Sequence, residues 1–356
     1  MLLQKNFQPP RTPRTQRGSE SRVLGRGANA LRMPSPCHSL VFFVSLVVNR
    51  LPGLLGVFLG AAFLFTGTSR ADGETAKSML SIVPNVADAS YGPHERNKLD
   101  LWQAKGDGPR PLVIFIHGGG WHGGDKGAVP EKTLKFLLDQ GISVASLNYR
   151  FTPEFPLPAP VHDAARAVQF LRTKAGEWNL DPNRFGAMGV SAGGCTTLWL
   201  ACHDDMADPG NSDPVLRASS RLQAAVGVSP QTSLEPEVVT AWIGPHVVAH
   251  PMILRASGLK SRDALNSPPP DVSALLKEFS PISHVSADDP PVLLVYPTVG
   301  ELPAANPGAA IHHAAFGQKF QEKAGAAGSV CLLRIEDRPS QTAPKPEEFF
   351  LKQFTP

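Results

Sequence analysis

The chain has 356 residues, enough for one large core, and a formal net charge of only +3. Nine of its 34 Lys and Arg residues precede Asp72, against one of its 31 Asp and Glu residues, so the remainder carries 25 bases and 30 acids. This mildly acidic remainder gives no electrostatic basis for nucleic-acid binding.

The first 71 residues are typical of a targeting segment. An arginine-rich start precedes two apolar runs, 40–48 and 51–65, and the second has the length of a signal-peptide core. Small residues at Ser69 and Ala71 predict cleavage before Asp72, although Met33 also begins an ordinary signal peptide. The alternative is an uncleaved anchor built from both runs. In either case we expect residues 72–356 to be exported, periplasmic or extracellular, with membrane contact only through this segment.

The remainder alternates predicted strands with predicted helices. Two alternating segments separated by a polar turn predict an opening antiparallel hairpin, and the later strands are continuous apolar runs, as in a parallel sheet covered on both faces. This pattern predicts an α/β, doubly wound, mostly parallel sheet. The predicted strands are 86–91, 98–103, 111–117, 142–150, 184–189, 223–228, 292–296 and 330–335, and the predicted helices include 131–140, 158–174 and 349–354.

Residues 229–290 interrupt the alternation with proline-rich stretches. We interpret this segment as a lid inserted over the strand ends. An ordinary surface excursion is the alternative.

A G-x-S-x-G pattern at 189–193 lies between a predicted strand and a predicted helix, the context that this motif requires. Glycines are needed there because a strand that turns sharply into a helix leaves no room for side chains. The turn exposes Ser191 beside a helix N-terminus, which favours negative charge. Ser191 is therefore the candidate nucleophile.

A glycine-rich segment, His117-Gly118-Gly119-Gly120-Trp121, follows an earlier predicted strand. Glycine lets main-chain N–H groups approach a substrate oxygen closely. We therefore predict an oxyanion hole formed by the N–H groups of Gly118, Gly119 and Ala192.

With these two motifs the chain resembles the α/β-hydrolase superfamily, and within it the HGGG-type esterases and lipases related to hormone-sensitive lipase and to bacterial carbohydrate-ester hydrolases. The resemblance runs from about residue 86 to 354 and includes Asn148-Tyr149-Arg150 and the segment 280–285. It implies an α/β-hydrolase fold and a serine nucleophile with a histidine base and a carboxylate. It further implies that the acid follows strand 292–296, where Glu301 is the only carboxylate in the turn.

The resemblance also implies a histidine after the last strand, but the segment 336–343 contains none. His312 and His313 precede the last strand and are expected on the wrong element. His246 and His250, in the predicted lid, are alternatives that could reach Ser191. His117 and His284 are expected to be structural.

Two functions remain open. One is a secreted serine hydrolase acting on small or carbohydrate esters, and the other is a catalytically impaired hydrolase-fold protein that binds a ligand or partner. No cofactor is implied, because there is no dinucleotide fingerprint. No metal is implied either, because His203 with Asp204 and Asp205 lacks ligands at useful spacing.

Overall fold

The computed structural model describes residues 80–338 and 342–355. The chain divides into two units, Met1–Ala71 and Asp72–Pro356, and the described residues all belong to the second. The predicted targeting segment, its cleavage site and the alternative anchor lie outside the described residues. Among the helices that are described, none has the length and apolar character needed to span a bilayer.

Eight strands form a single sheet in the order β1-β2-β4-β3-β5-β6-β7-β8. β1 pairs with β2 and β2 with β4 in antiparallel fashion, and the remaining neighbours are parallel. This confirms the predicted fold class and its opening antiparallel hairpin. The strands are β1 (Val86–Ser90), β2 (Lys98–Trp102), β3 (Arg110–Ile116), β4 (Ser143–Leu147), β5 (Leu180–Val190), β6 (Ala224–Val228), β7 (Val292–Tyr296) and β8 (Cys331–Ile335).

Helices cover both faces of the sheet. Those that join or follow strands are α1 (Glu131–Asp139), α2 (Ala159–Thr173), α3 (Ala192–Cys202), α10 (Ala315–Ala327) and α11 (Pro346–Phe354). The others are short: α4 (Pro236–Ile243), α5 (His246–Ala249), α6 (Pro251–Ser257), α7 (Arg262–Asn266), α8 (Pro270–Glu278) and α9 (Pro307–Ile311). In the described part of the chain, 3-10 turns occur at Lys126–Ala128, Pro214–Arg217 and Pro281–Ser283.

The alternation of side chains along β3 divides the core into two layers. Leu112, Ile114 and Ile116 belong to a cluster that includes residues of α2, α3 and α10. Val113 and Phe115 belong to a second cluster with residues of α1 and α11. Each fully buried side chain of this kind contributes on the order of 1.5–3 kcal/mol. The two layers together hold the carboxyl ends of the parallel strands in place.

The segment 229–290, predicted to be a lid, contains the five helices α4 to α8. Its main chain is tied to two loops: the Ala304 N–H donates to the Ile243 oxygen at 3.0 Å, and the Leu157 N–H donates to the Ala256 oxygen at 3.0 Å. Met252 lies beside Gly120, with its Cβ 3.7 Å from the point that a Cβ on this glycine would occupy. The insertion therefore borders the glycine-rich loop and the loop after β7.

Candidate active site

Ser191 occupies the bend between β5 and α3. Its backbone is in the positive-φ region, with φ 54° and ψ −121°, a conformation that costs a non-glycine residue on the order of 1–3 kcal/mol. Main-chain hydrogen bonds hold this bend: the Ser191 N–H donates to the Val228 oxygen, and the Cys195 N–H donates to the Ser191 oxygen, both at 2.8 Å. The strain is thus maintained by the sheet on one side and the helix on the other.

The glycines on either side of Ser191 are required by close approach. A Cβ on Gly189 would lie 2.2 Å from the Gly193 oxygen, and a Cβ on Gly193 would lie 2.1 Å from the Ile116 oxygen. Real Cβ atoms do not come so close to a main-chain oxygen. The G-x-S-x-G pattern is therefore a packing requirement of this bend, as predicted from the sequence.

The glycine-rich loop lies directly against Ser191. A Cβ placed on Gly118 would be 3.4 Å from the Ser191 Cβ and 2.8 Å from the Val190 oxygen. Within the described residues, the N–H groups of Gly118 and Gly119 donate no main-chain hydrogen bond. Ala192 begins α3, and the first N–H groups of a helix lack an intrahelical acceptor. The three predicted oxyanion donors are thus near Ser191, and their role stays a prediction.

Buried aromatic side chains hold the glycine-rich loop. His117 donates from Nδ1 to the Gly118 oxygen at 2.8 Å and stacks on Tyr149, with ring centroids 4.3 Å apart. The Tyr149 hydroxyl donates to the His117 oxygen at 2.8 Å, and Trp121 Nε1 donates to Thr196 Oγ1 in α3 at 3.0 Å. Burial lowers the pKa of His117 to about 4, so this ring is neutral at pH 7. Its contacts agree with the structural role expected for it.

The expectation that His312 lies on the wrong element was wrong. Its Nε2 atom is 2.9 Å from Ser191 Oγ, within hydrogen-bonding distance. His312 ends α9, in the long connection between β7 and α10, and this connection folds back over the bend at Ser191. The histidine absent after β8 is therefore replaced in space by one that comes before it in the chain.

The protonation of His312 suits a proton acceptor. Nδ1 lies 3.3 Å from the Gly308 carbonyl oxygen, which only accepts, so the ring proton is on Nδ1 and Nε2 presents its lone pair to Ser191. Burial lowers the pKa of His312, a shift that the Gly308 carbonyl partly opposes. Gly308 belongs to the last turn of α9, where main-chain carbonyl oxygens accept no hydrogen bond from within the helix. The Gly308 carbonyl thus lies on the ring nitrogen that a carboxylate contacts in a Ser-His-Asp triad.

Glu301, the candidate acid, is exposed, and its carboxylate makes no hydrogen bond or ion pair among the described residues. It does line the same cavity as His312, a space of about 320 Å³. The neighbouring His313 is buried, and a Cβ on Gly300 would be 2.8 Å from its Nε2 atom. The structure therefore brings Glu301 close to the site without joining it to the histidine.

The alternative lid histidines make no hydrogen bond with Ser191. His246 is exposed. His250 accepts the Met252 N–H on Nδ1 at 3.3 Å, and burial followed by the nearby His312 lowers its pKa. His250 thus lies near His312 and makes no hydrogen bond with the serine.

The position of His312 follows from the strand order. β7 is two strands from β5, about 10 Å at the usual strand spacing, whereas β8 is three strands away, about 14 Å. A loop after β7 is therefore the shorter route to Ser191. The sequence held one clue, because Ser191, Glu301 and His312 occur in the chain order of an α/β-hydrolase triad.

The sheet order, the strained serine and the adjacent glycine-rich loop define a member of the α/β-hydrolase superfamily. Within it, the chain belongs to the BD-FAE family, whose model matches residues 99–302, more than half of the chain.

Named relatives are esterases. The chain is 30% identical over 243 residues to the probable carboxylic ester hydrolase LipM of Mycobacterium tuberculosis, covering 64% of this chain and 52% of the relative. It is 39% identical over 140 residues to the probable isoprenylcysteine alpha-carbonyl methylesterase ICMEL2 of Arabidopsis thaliana, covering 39% of this chain and 33% of the relative. The matches thus span about half or less of these curated relatives.

Two solved structures share the fold. An acetyl ester-xyloside bifunctional hydrolase from Caldicellulosiruptor lactoaceticus aligns with a TM-score of 0.55 at 25% identity, over 72% of this chain and 87% of that one. A truncated carbohydrate esterase from gut microbiota aligns with a TM-score of 0.58 at 19% identity, over 75% of this chain and 95% of that one. The second likeness concerns the fold alone.

Proposed function

We propose that this protein is a serine hydrolase that cleaves small carboxylic esters through Ser191 and His312. The observation that carries the proposal is the 2.9 Å separation of Ser191 Oγ and His312 Nε2 at a strained bend. The esterase names of the relatives support the same reaction class. The matched regions span only part of those proteins, so the proposed activity depends chiefly on the geometry of Ser191 and His312.

In the proposed reaction His312 Nε2 accepts the Ser191 hydroxyl proton as Oγ attacks the ester carbonyl carbon. The carbonyl oxygen becomes an oxyanion facing the N–H groups of Gly118, Gly119 and Ala192. The protonated His312 then donates its proton to the departing alcohol, which leaves an acyl group on Ser191. Water, deprotonated by His312, attacks this acyl group, and collapse of the second intermediate releases the acid and returns the proton to Ser191.

The substrate class is proposed from the relatives rather than from a cavity, because the space of about 320 Å³ beside His312 is lined by neither Ser191 nor the glycine-rich loop. The name of the structural relative at 25% identity makes acetylated sugars a suitable first class to test.

Labelling with a fluorophosphonate tests the proposal, because such a probe reacts only with an activated serine. We expect the unaltered protein to be labelled and to hydrolyse p-nitrophenyl acetate, and Ser191→Ala to do neither. A sharply reduced rate in His312→Asn would identify the base.

A second function, ligand binding without catalysis, is favoured by one observation: His312 has a carbonyl rather than a carboxylate on Nδ1. Absence of labelling between pH 5 and 9, together with binding of acetylated sugars, would support this second function over the first.

We also propose that residues 1–71 direct export and are removed before Asp72. The basic start and the apolar run 51–65 support this. Intact mass of the protein secreted by an expressing bacterium tests it, since retention of the segment in the membrane fraction would indicate an anchor instead.

A further inference from the structure

His203 meets two residues from a distant part of the chain, Glu278 and His284, at the end of α3 opposite to Ser191. His203 follows the last residue of α3, Glu278 is the last residue of α8, and His284 follows the 3-10 turn at Pro281–Ser283. One potential ligand atom from each lies within 4.8 Å of the other two. Ser191 is twelve residues before His203, so about 18 Å of helix separates this cluster from the serine.

We propose that His203, Glu278 and His284 bind a divalent transition-metal ion such as Zn²⁺. Two imidazoles and one carboxylate are a ligand set that zinc accepts, with a fourth position left for water. Ligand atoms about 2.0–2.1 Å from a tetrahedral zinc ion are about 3.4 Å from each other. His203 Nε2 is 3.3 Å from Glu278 Oε1, and His284 Nε2 is 3.7 Å from the same oxygen. These separations are close to the edges of such a tetrahedron.

The surroundings of His203 prepare it as a ligand. Its Nδ1 atom donates to the Asp204 carbonyl oxygen at 2.8 Å, which leaves the lone pair on Nε2, the atom that faces Glu278. A main-chain carbonyl on the other ring nitrogen is a common support for a metal-bound histidine. The Trp199 indole stacks on the ring, with centroids 4.1 Å apart, and fixes its orientation. A lone pair directed at a carboxylate oxygen requires a positive charge between the two atoms, supplied either by a proton, which gives an imidazolium–carboxylate pair, or by a metal ion.

His284 can release its present hydrogen bond without leaving an unpaired group. Its Nε2 atom donates to the Glu278 carbonyl oxygen at 2.5 Å. That carbonyl also accepts from Trp199 Nε1 at 2.9 Å, so it keeps a donor when Nε2 turns its lone pair to a metal. The three side chains are partly exposed, at 25% for His203, 46% for Glu278 and 18% for His284, which gives an ion access from solvent.

A bound ion would join the end of α3 to the end of α8 and to the segment before β7. It would thereby brace the helix that carries Ser191 at its other end, without taking part in the reaction. The proposal does not depend on esterase activity, and its test does not measure it.

Zn²⁺ alone, titrated calorimetrically into the metal-free full chain at pH 7.5, is the test. We expect one site per chain, and Co²⁺ should give the intense visible absorption of a four-coordinate ion. Glu278→Gln keeps the size of the side chain and both hydrogen bonds to the Glu278 carbonyl, and should weaken Zn²⁺ binding about tenfold or more. His203→Gln should do the same.

Two control variants separate this site from other histidines. His246→Asn removes an exposed lid histidine, and His312→Asn removes the candidate base, so both should bind Zn²⁺ unchanged. An excess of Zn²⁺ should raise Tm by a few degrees in the unaltered protein but not in Glu278→Gln. Equal Zn²⁺ affinity in Glu278→Gln, or no binding by the unaltered chain, would overturn the proposal and leave an imidazolium–carboxylate pair.

Discussion

Replacing the candidate base and the candidate acid separately should have very different effects on ester hydrolysis. His312 Nε2 lies 2.9 Å from Ser191 Oγ, so His312→Asn removes the proton acceptor itself. Loss of a triad base commonly lowers kcat/KM on the order of a thousandfold, which corresponds to about 4 kcal/mol of transition-state stabilisation. Some rate should remain, because the oxyanion donors are unchanged.

Glu301→Gln should lower kcat/KM by less than about tenfold, which corresponds to less than about 1.4 kcal/mol of transition-state stabilisation. The reason is that the Glu301 carboxylate makes no hydrogen bond or ion pair with His312, whose Nδ1 is occupied by the Gly308 carbonyl. Glu322→Gln, which alters an exposed carboxylate of α10 paired with Lys319, is the matched control and should leave the rate unchanged.

Initial rates with p-nitrophenyl acetate, corrected for active sites by fluorophosphonate titration, measure these effects. A loss of a hundredfold or more in Glu301→Gln would show that this carboxylate turns inward to the histidine during catalysis. If, in addition, His312→Asn kept most of its rate, the assignment of the base would be refuted.

Three further outcomes follow from the same structure. Burial lowers the pKa of His312 below 6.5, and a proton acceptor must be neutral. We therefore expect kcat/KM to fall only below pH 6.5. A midpoint at or above pH 6.5 in a pH–rate profile would contradict the assignment of His312. The pKa of His117 is about 4 in the folded protein and about 6.5 in the unfolded chain. Between these two values the unfolded chain binds a proton that the folded protein does not. The free energy of unfolding should therefore be highest above pH 6.5 and should fall by up to about 3 kcal/mol as the pH drops to 4. Urea unfolding of the unaltered protein and of His117→Gln should show a weaker pH dependence in the variant, and equal slopes would remove His117 as the cause. Gly193→Ala should abolish soluble or active protein, because its Cβ would lie 2.1 Å from a main-chain oxygen, whereas Gly325→Ala in α10 meets nothing within 4 Å and should raise Tm slightly or leave it unchanged.

The central strands of the sheet could be predicted from the sequence because they are continuous apolar runs buried on both faces. β7, for example, was predicted at its observed bounds, since all five of its residues are buried. The closing helix was predicted to begin at Phe349 but begins at Pro346, where proline suits the first turn of a helix. The helices of the segment 229–290 are not predictable in the same way, because they are short and three of the five, α4, α6 and α8, begin with proline, a residue that also interrupts helices.

The motifs around Ser191 were predictable because their glycines answer local steric needs. His312 was not, since its role depends on how a connection between β7 and α10 folds back over the sheet. Neither periodicity nor composition encodes that path. The contact of His203 with Glu278 and His284 was missed for the same reason, as only packing of α3 against the segment 278–284 brings His203 to the other two residues.

The position of His312 divides the proposed active site into a part built into the sheet and a part carried on a connection between elements. The serine and the glycine loop follow central strands of the sheet, whereas the imidazole directly follows a five-residue helix in the connection between β7 and α10. Changing the sequence of that one connection would therefore alter or abolish the proposed reaction without disturbing the hydrophobic core. A grafted connection of equal span, ending in an imidazole, is accordingly a direct route to altering selectivity by design.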